Sequence, residues 1–72
     1  MVTVRFFAAA RAAVGEHSVA IDVTSIQAIL DRFDDPVVAR CSFLVNGVAA
    51  TDPGIVLVAG DEVDVLPPFA GG

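Results

Sequence analysis

The C-terminal end of this 72-residue chain carries the group best suited to do chemistry. Gly71 and Gly72 place an α-carboxylate at the end of a segment without bulky side chains. A carboxylate is ionised at neutral pH and is a poor electrophile, but adenylation by ATP would turn one of its oxygens into a leaving group. Glycine would leave the carbonyl carbon open to attack by sulfur or another nucleophile. We therefore predict that Gly72 is the reactive residue and that a partner enzyme supplies the catalysis.

The residues before this carboxylate are expected to deliver it to the partner. Pro67 and Pro68 lack the amide hydrogen that a β-ladder needs, so the preceding strand must stop there. We expect residues 67–72 to form a flexible C-terminal tail, in which Phe69, Ala70, Gly71 and Gly72 thread a narrow channel. The alternative is a frayed terminus without function, which is common at chain ends.

Other side chains lack the spacing of a catalytic or metal site. His17 and Cys41 are the single histidine and the single cysteine, and neither has a nucleophile, a base or a second ligand close in sequence. The acidic pairs Asp34-Asp35 and Asp61-Glu62 lack the spacing of a calcium loop. We expect no metal or cofactor bound by the chain itself, and we expect Cys41 to act as a small buried apolar residue.

Composition excludes several classes of partner. Hydrophobic residues make up 56% of the chain and charged residues 18%, which favours one small folded domain over a disordered segment. The net charge is −5, the four arginines are scattered and there is no lysine, so we expect neither nucleic acid nor an anionic membrane as a partner. One cysteine cannot form an internal disulfide, which favours the cytoplasm.

Hydrophobic periodicity predicts the elements of the first half. Residues 2–7 and 17–23 alternate between apolar and polar side chains, which is typical of half-buried strands. The alanine-rich segment 8–14 predicts a short helix that ends at Gly15. A longer helix is expected over 25–33, capped by Thr24 and Gln27 and ended by Pro36. Its apolar stripe consists of Ile26, Ile29, Leu30 and Phe33.

The second half predicts strands. Asn46-Gly47 is a strong hairpin signal between strands at 41–45 and 48–50, and a final strand spans 62–66. The chain is therefore expected to be an α+β domain over residues 1–66, with a mixed sheet of four or five strands packed on one main helix plus a short helix.

One surface is expected to bind the partner. Strand alternation places Phe7 and Leu66 on the face opposite the core, and both would lie beside the exit of the tail if the first and last strands were parallel neighbours. Arg11 could add a polar contact at the rim, and Pro67 and Pro68 would complete the surface. The alternative is that Phe7 packs on the short helix.

Three segments together resemble a known family. They are Val-Arg-Phe-Phe-Ala-Ala-Ala-Arg-Ala-Ala-Val-Gly at 4–15, Leu-Val-Asn-Gly at 44–47, and Gly-Asp-Glu-Val at 60–63 with Leu-Pro-Pro-Phe-Ala-Gly-Gly at 66–72. This combination resembles the MoaD-type small subunits of molybdopterin synthase, in the ThiS/MoaD sulfur-carrier family. The resemblance covers the whole chain. It implies a ubiquitin-like β-grasp fold with the first and last strands adjacent at the centre.

The resemblance also implies a function and partners. An adenylating enzyme similar to those that activate ubiquitin would use ATP and magnesium to adenylate Gly72, and a persulfide donor would supply sulfur to form a thiocarboxylate. The large subunit of the synthase would then receive the tail, and sulfur would pass to the precursor of molybdenum cofactor. The alternatives are a sulfur carrier for thiazole or cysteine synthesis, a ubiquitin-like protein modifier, and an interaction module whose tail has no role.

Overall fold

A computed structural model describes residues 1–67 of the chain. Its elements, in chain order, are β1 (Val2–Phe6), α1 (Ala8–Val14), β2 (Ser18–Ile21), α2 (Ile26–Arg32), α3 (Pro36–Ala39), β3 (Ser42–Val45), β4 (Val48–Ala50) and β5 (Glu62–Leu66). The predictions for Pro68, Phe69, Ala70, Gly71 and Gly72 concern residues outside the described part of the chain.

The five strands form one mixed sheet in the order β2-β1-β5-β3-β4. The first and last strands are parallel neighbours at its centre, with Val4 opposite Val63 and Phe6 opposite Val65. The other three pairings are antiparallel. This arrangement confirms the expected ubiquitin-like β-grasp fold, in which the N-terminal strand and the C-terminal strand end at the same edge of the domain.

The core lies between one face of the sheet and the helices. Its buried residues are Val2, Val4, Phe6, Ala10, Ile26, Ile29, Val38, Phe43, Leu57, Val63 and Val65. The alternation predicted for β1 and β5 is confirmed, because every second residue of each strand is buried. Within the predicted stripe of α2, Ile26 and Ile29 are buried, whereas Leu30 and Phe33 are partly buried and pack against the core.

The start of α2 differs from the capping box expected at Thr24. Ser25 is the N-cap residue, and its hydroxyl oxygen accepts a hydrogen bond from the amide of Ala28 at 3.1 Å. Gln27 does not reach back to the cap, because its side-chain amide donates to Asp31 at 3.0 Å. The backbone carbonyl of Thr24 accepts from the amide of Leu57 at 2.8 Å. This bond ties Thr24 to the segment between β4 and β5, and Ser25 caps the helix in its place.

Pro36 was expected to end α2 by excluding the helical conformation just before it, and Asp35 is indeed extended. Pro36 also begins another helix, which the sequence did not predict. The last residue of α2 is Arg32, and Phe33 forms its C-cap. Pro36 is the first residue of α3, where its missing amide hydrogen costs nothing. The side chain of Asp35 caps this short helix by accepting from the amide of Val37 at 2.8 Å.

Candidate functional site

The end of β5 is held from both sides. The amide of Phe7, just after β1, donates to the carbonyl oxygen of Val65 at 3.1 Å. On the other side, Leu66 is paired with Ser42 at the start of β3. The last residues of β5 therefore lie between two strands, and the fold fixes the point from which the chain continues towards its C-terminal residues.

Phe7 and Leu66 lie at this same end of the sheet. Both are half-buried, whereas Phe6 and Val65, which are their neighbours in sequence, are almost completely buried. Phe7 is also the N-cap residue of α1, so it connects the end of β1 to that helix. The structure places the two apolar residues that the sequence singled out at the same end of the sheet, and their role in partner binding stays a prediction.

The remaining predicted contact residues extend the same region. Arg11 is exposed, and its Nε donates to the carbonyl oxygen of Phe6 at 3.4 Å. Pro67 is buried. The first residue after β5 is therefore still packed on the domain. The start of the tail at residue 67 stays a prediction.

Ala8 has an unfavourable backbone conformation at this site. Its φ of 49° lies in the left-handed region, which costs a non-glycine residue about 1–2 kcal/mol. This turn allows the chain to leave β1 at Phe7 and to enter α1 immediately. Such strain persists only where surrounding contacts impose it, and the hydrogen bond between Phe7 and Val65 is one of those contacts.

Charged side chains occupy the face of the central strands opposite the core. Arg5 binds Asp64 in a bidentate pair, with Nε to Oδ1 at 2.7 Å and a second nitrogen to Oδ2 at 3.1 Å. Glu62 lies 3.7 Å from the same guanidinium group. The hydrogen bond that Arg5 donates to Asp64 is the largest cause of the raised pKa of Arg5. The pair joins β1 to β5 across the sheet and fixes the orientation of a polar surface beside Phe7 and Leu66.

The histidine, cysteine and acidic side chains of residues 1–67 do not form a metal site. No group of three or more histidine, cysteine or acidic side chains lies close enough to hold a metal ion within residues 1–67. The thiol of Cys41 is half-buried and donates to the carbonyl oxygen of Val37 at 3.2 Å. Burial, together with the nearby Asp35, raises the pKa of Cys41, which favours the protonated thiol over the nucleophilic thiolate. His17 is exposed.

One residue at this end was not identified from the sequence. Arg40 is exposed and lies two residues before Ser42, the partner of Leu66. Its position depends on the antiparallel pairing of β3 with β5, which no local pattern shows. None of the helices within residues 1–67 is long and apolar enough to cross a membrane.

The fold and this end of the sheet define a class of protein, namely small ubiquitin-like domains that present their C-terminal residues from one end of a β-grasp sheet. The sequence model of the ThiS family matches residues 4–72. The chain therefore belongs to the ThiS family, whose members are small non-catalytic sulfur carriers. No curated protein matches the chain in sequence.

Solved structures similar to the chain come from several systems. SAMP1 from Haloferax volcanii is 25% identical, with a TM-score of 0.73 over 99% of this chain and 98% of that one. A chain of the complex between subunits 1 and 2 of the molybdopterin-converting factor from Helicobacter pylori is 26% identical, with a TM-score of 0.72 over 99% and 97%. A chain of the BexX/CysO complex from Amycolatopsis orientalis is 21% identical, with a TM-score of 0.76 over both full lengths, and this likeness concerns the fold.

Proposed function

We propose that this chain is the sulfur-carrying small subunit of a molybdopterin synthase. Membership of the ThiS family over residues 4–72 supports the sulfur-carrier role. The likeness to a chain from the two-subunit molybdopterin-converting factor of Helicobacter pylori supports the pathway. The observation that carries the proposal is the fixed end of β5, which is held between Phe7 and Ser42 and leads directly to a sequence that ends in two glycines.

Activation would begin at the carboxylate of Gly72. One carboxylate oxygen attacks the α-phosphate of ATP on an adenylating enzyme, with magnesium, and pyrophosphate leaves. The terminal sulfur of a persulfide then attacks the carbonyl carbon and AMP leaves. A thiol reduces the resulting sulfur–sulfur bond and releases the thiocarboxylate, while the thiol and the donor's sulfur form a disulfide.

The thiocarboxylate would then be delivered to the large subunit of the synthase. Sulfur passes to a cyclic pyranopterin precursor, and two carriers are consumed for each dithiolene. In this scheme the chain contributes positioning and not catalysis. Its contribution is a rigid domain that a partner recognises and a terminal glycine whose carbonyl no side chain shields.

A protein modifier is the second candidate. It is favoured by the likeness to SAMP1, the small archaeal modifier protein 1, which extends over 99% of this chain. In that case the activated Gly72 would be transferred to a lysine of a target protein. This chain has no lysine, so it would modify targets singly and would not form lysine-linked chains on itself. Sulfur delivery to thiazole or cysteine synthesis is a further alternative.

Intact-mass analysis tests the proposal. The purified chain is incubated with the adenylating enzyme of its source organism, ATP, magnesium and a persulfide donor, and a parallel reaction omits ATP. We expect an ATP-dependent mass increase equal to the difference between one sulfur and one oxygen atom. Addition of the large subunit and the pyranopterin precursor should restore the original mass. A thiocarboxylate that persists in their presence would contradict the molybdopterin assignment, and a covalent adduct with target lysines would support the modifier.

A further inference from the structure

Two exposed arginines lie on either side of the end of β5. On the β1 side, Nε of Arg11 donates to the carbonyl oxygen of Phe6 at 3.4 Å, and Phe6 is opposite Val65 in the sheet. On the β3 side, Arg40 lies two residues before Ser42, which is opposite Leu66. The fold therefore places two arginines that are far apart in sequence at the end of the sheet where the chain leaves its last strand.

These two charges have no ionic partner among residues 1–67. The ion pairs in that part of the chain all belong to Arg5, which binds Asp64 and lies near Glu62. Arg32 lies over the ring of Phe33, 5.1 Å from its centroid, and lines a cleft that also contains Glu16, Asp34 and Asp35. Arg11 and Arg40 are thus two exposed positive charges without an ion pair among residues 1–67, in a chain whose net charge is −5.

Apolar surface lies beside these arginines. Phe7 and Leu66 are half-buried at the same end of the sheet, and a shallow depression next to Arg40 is lined by Ala9, Pro36 and Val37. An apolar centre with a charged rim is the usual composition of a protein–protein interface. Charges at such a rim act mainly on the rate of association and on its salt dependence.

We propose that Arg11 and Arg40 form a cationic collar that docks against carboxylates around the mouth of the channel in the adenylating enzyme. This inference rests on the proposed function. The collar contacts protein and not ATP, because the five residues after the packed Pro67 would span about 17 Å if extended. The phosphates lie at the far end of that span, so the arginines meet the enzyme's surface where the tail enters.

The chain offers a set of matched charge reversals. Arg11→Glu, Arg40→Glu and Arg32→Glu each change the net charge from −5 to −7, since each removes one positive charge and adds one negative charge. Arg32→Glu is the control because Arg32 belongs to α2 and not to the end of β5. Differences among the three variants therefore report position and not total charge.

The test measures the rate of ATP-dependent adenylation by the adenylating enzyme of the source organism. Release of pyrophosphate is the signal that reports this rate. At low salt we expect Arg11→Glu and Arg40→Glu each to raise KM for the carrier about fivefold or more, with kcat within about twofold of wild type. The increase should shrink towards 1 M salt, where the screening length falls to about 3 Å. Arg32→Glu should leave KM near the wild-type value.

Several results would overturn the collar. An equal rise in KM for Arg32→Glu would show a general charge effect, and an unchanged KM for both collar variants would show that the partner ignores them. A fall in kcat alone would place the arginines near the reacting groups. Thermal unfolding checks the fold of each variant, and Arg11→Gln and Arg40→Gln should show smaller rises in KM. A wild-type chain that is never adenylated contradicts the proposed function itself, and this result is separate from any variant effect.

Discussion

The amide of Phe7 donates a 3.1 Å hydrogen bond to the carbonyl oxygen of Val65. This bond joins the end of β1 to the end of β5, although 58 positions separate the two residues along the chain. It extends the parallel ladder by one residue beyond Phe6. It also fixes the position of the end of β5, and the function proposed above depends on that position.

Ala8→Gly should stabilise the domain. Glycine adopts the φ of 49° without steric cost, but it also loses more entropy on folding, so we expect a net gain below about 1 kcal/mol. The matched control is Ala12→Gly, within the same helix, which should lower the free energy of unfolding by about 0.5–1 kcal/mol. Urea denaturation measures both changes, and a destabilised Ala8→Gly variant would show that Ala8 is not strained.

Ser25→Ala should destabilise the domain through loss of the cap of α2. The hydroxyl of Ser25 accepts from the amide of Ala28, and loss of such a cap costs about 0.5–2 kcal/mol. Thr24→Ala is the control, because Thr24 is exposed and its contact with Leu57 uses the backbone. Urea denaturation of the two variants distinguishes the residues. A larger loss for Thr24→Ala would restore the capping box expected from the sequence.

The neighbours Thr24 and Ser25 illustrate which features the sequence could predict and which it could not. Alternation in β1 and β5 and the Asn46-Gly47 turn were correctly predicted because they depend on local chemistry, and both turn residues have the expected positive φ of 49° and 84°. The choice between Thr24 and Ser25 depends on the contact with Leu57, which is 33 positions beyond Thr24. Local pattern could not reveal that contact.

The same distinction applies to the candidate site. Phe7, Leu66 and the terminal glycines could be identified because strand alternation and a motif are written in consecutive residues. Arg40 could not be identified in this way, since its position near the end of β5 follows from the pairing of Ser42 with Leu66. The helix that begins at Pro36 was not predicted, because a proline that excludes one helix can equally begin the next.

The carboxylate of Asp61 should make stability depend on pH in the acid range. A hydrogen bond from the amide of Val58, and another from the side chain of Asn46, lower the pKa of Asp61 below 3.8. A lowered folded-state pKa contributes stability above the unfolded value, and that stability is lost as pH falls through the folded value. Wild type should therefore lose stability below about pH 4 more steeply than Asp61→Asn.

A second variant resolves the two causes of this pH dependence. In Asn46→Gly, glycine tolerates the φ of 49°, but the hydrogen bond from the side-chain amide of Asn46 to Asp61 is lost. The pH dependence of its free energy of unfolding should therefore lie between those of wild type and Asp61→Asn. The measurement is the free energy of unfolding against pH between roughly 2 and 5. Identical slopes for wild type and Asp61→Asn would exclude Asp61 as the source.

Phe7→Ala and Leu66→Ala should weaken partner binding. Apolar residues at the centre of an interface commonly contribute 1–2 kcal/mol or more, so each variant should raise Kd for the large subunit roughly tenfold. Val48→Ala is the control, because Val48 is exposed and opposite Val45, at the other end of β3 from Ser42. Calorimetry gives Kd, and circular dichroism checks the fold. Wild-type affinity in both Phe7→Ala and Leu66→Ala would exclude these residues as part of the binding surface for the large subunit.

The most direct test of the central claim is the rate of ATP-dependent thiocarboxylate formation on a chain that lacks Gly72. Deletion shortens the reach of the tail by about 3.5 Å. Misplacement of a reacting group on that scale can cost about a hundredfold in rate. The account predicts a loss of at least that size, an equal loss when one glycine is appended, a wild-type rate for Val48→Ala, and unchanged thermal stability in all three. Sulfur acquisition at the wild-type rate by the Gly72 deletion would contradict the assignment of this chain as a carrier that works through its terminal glycine.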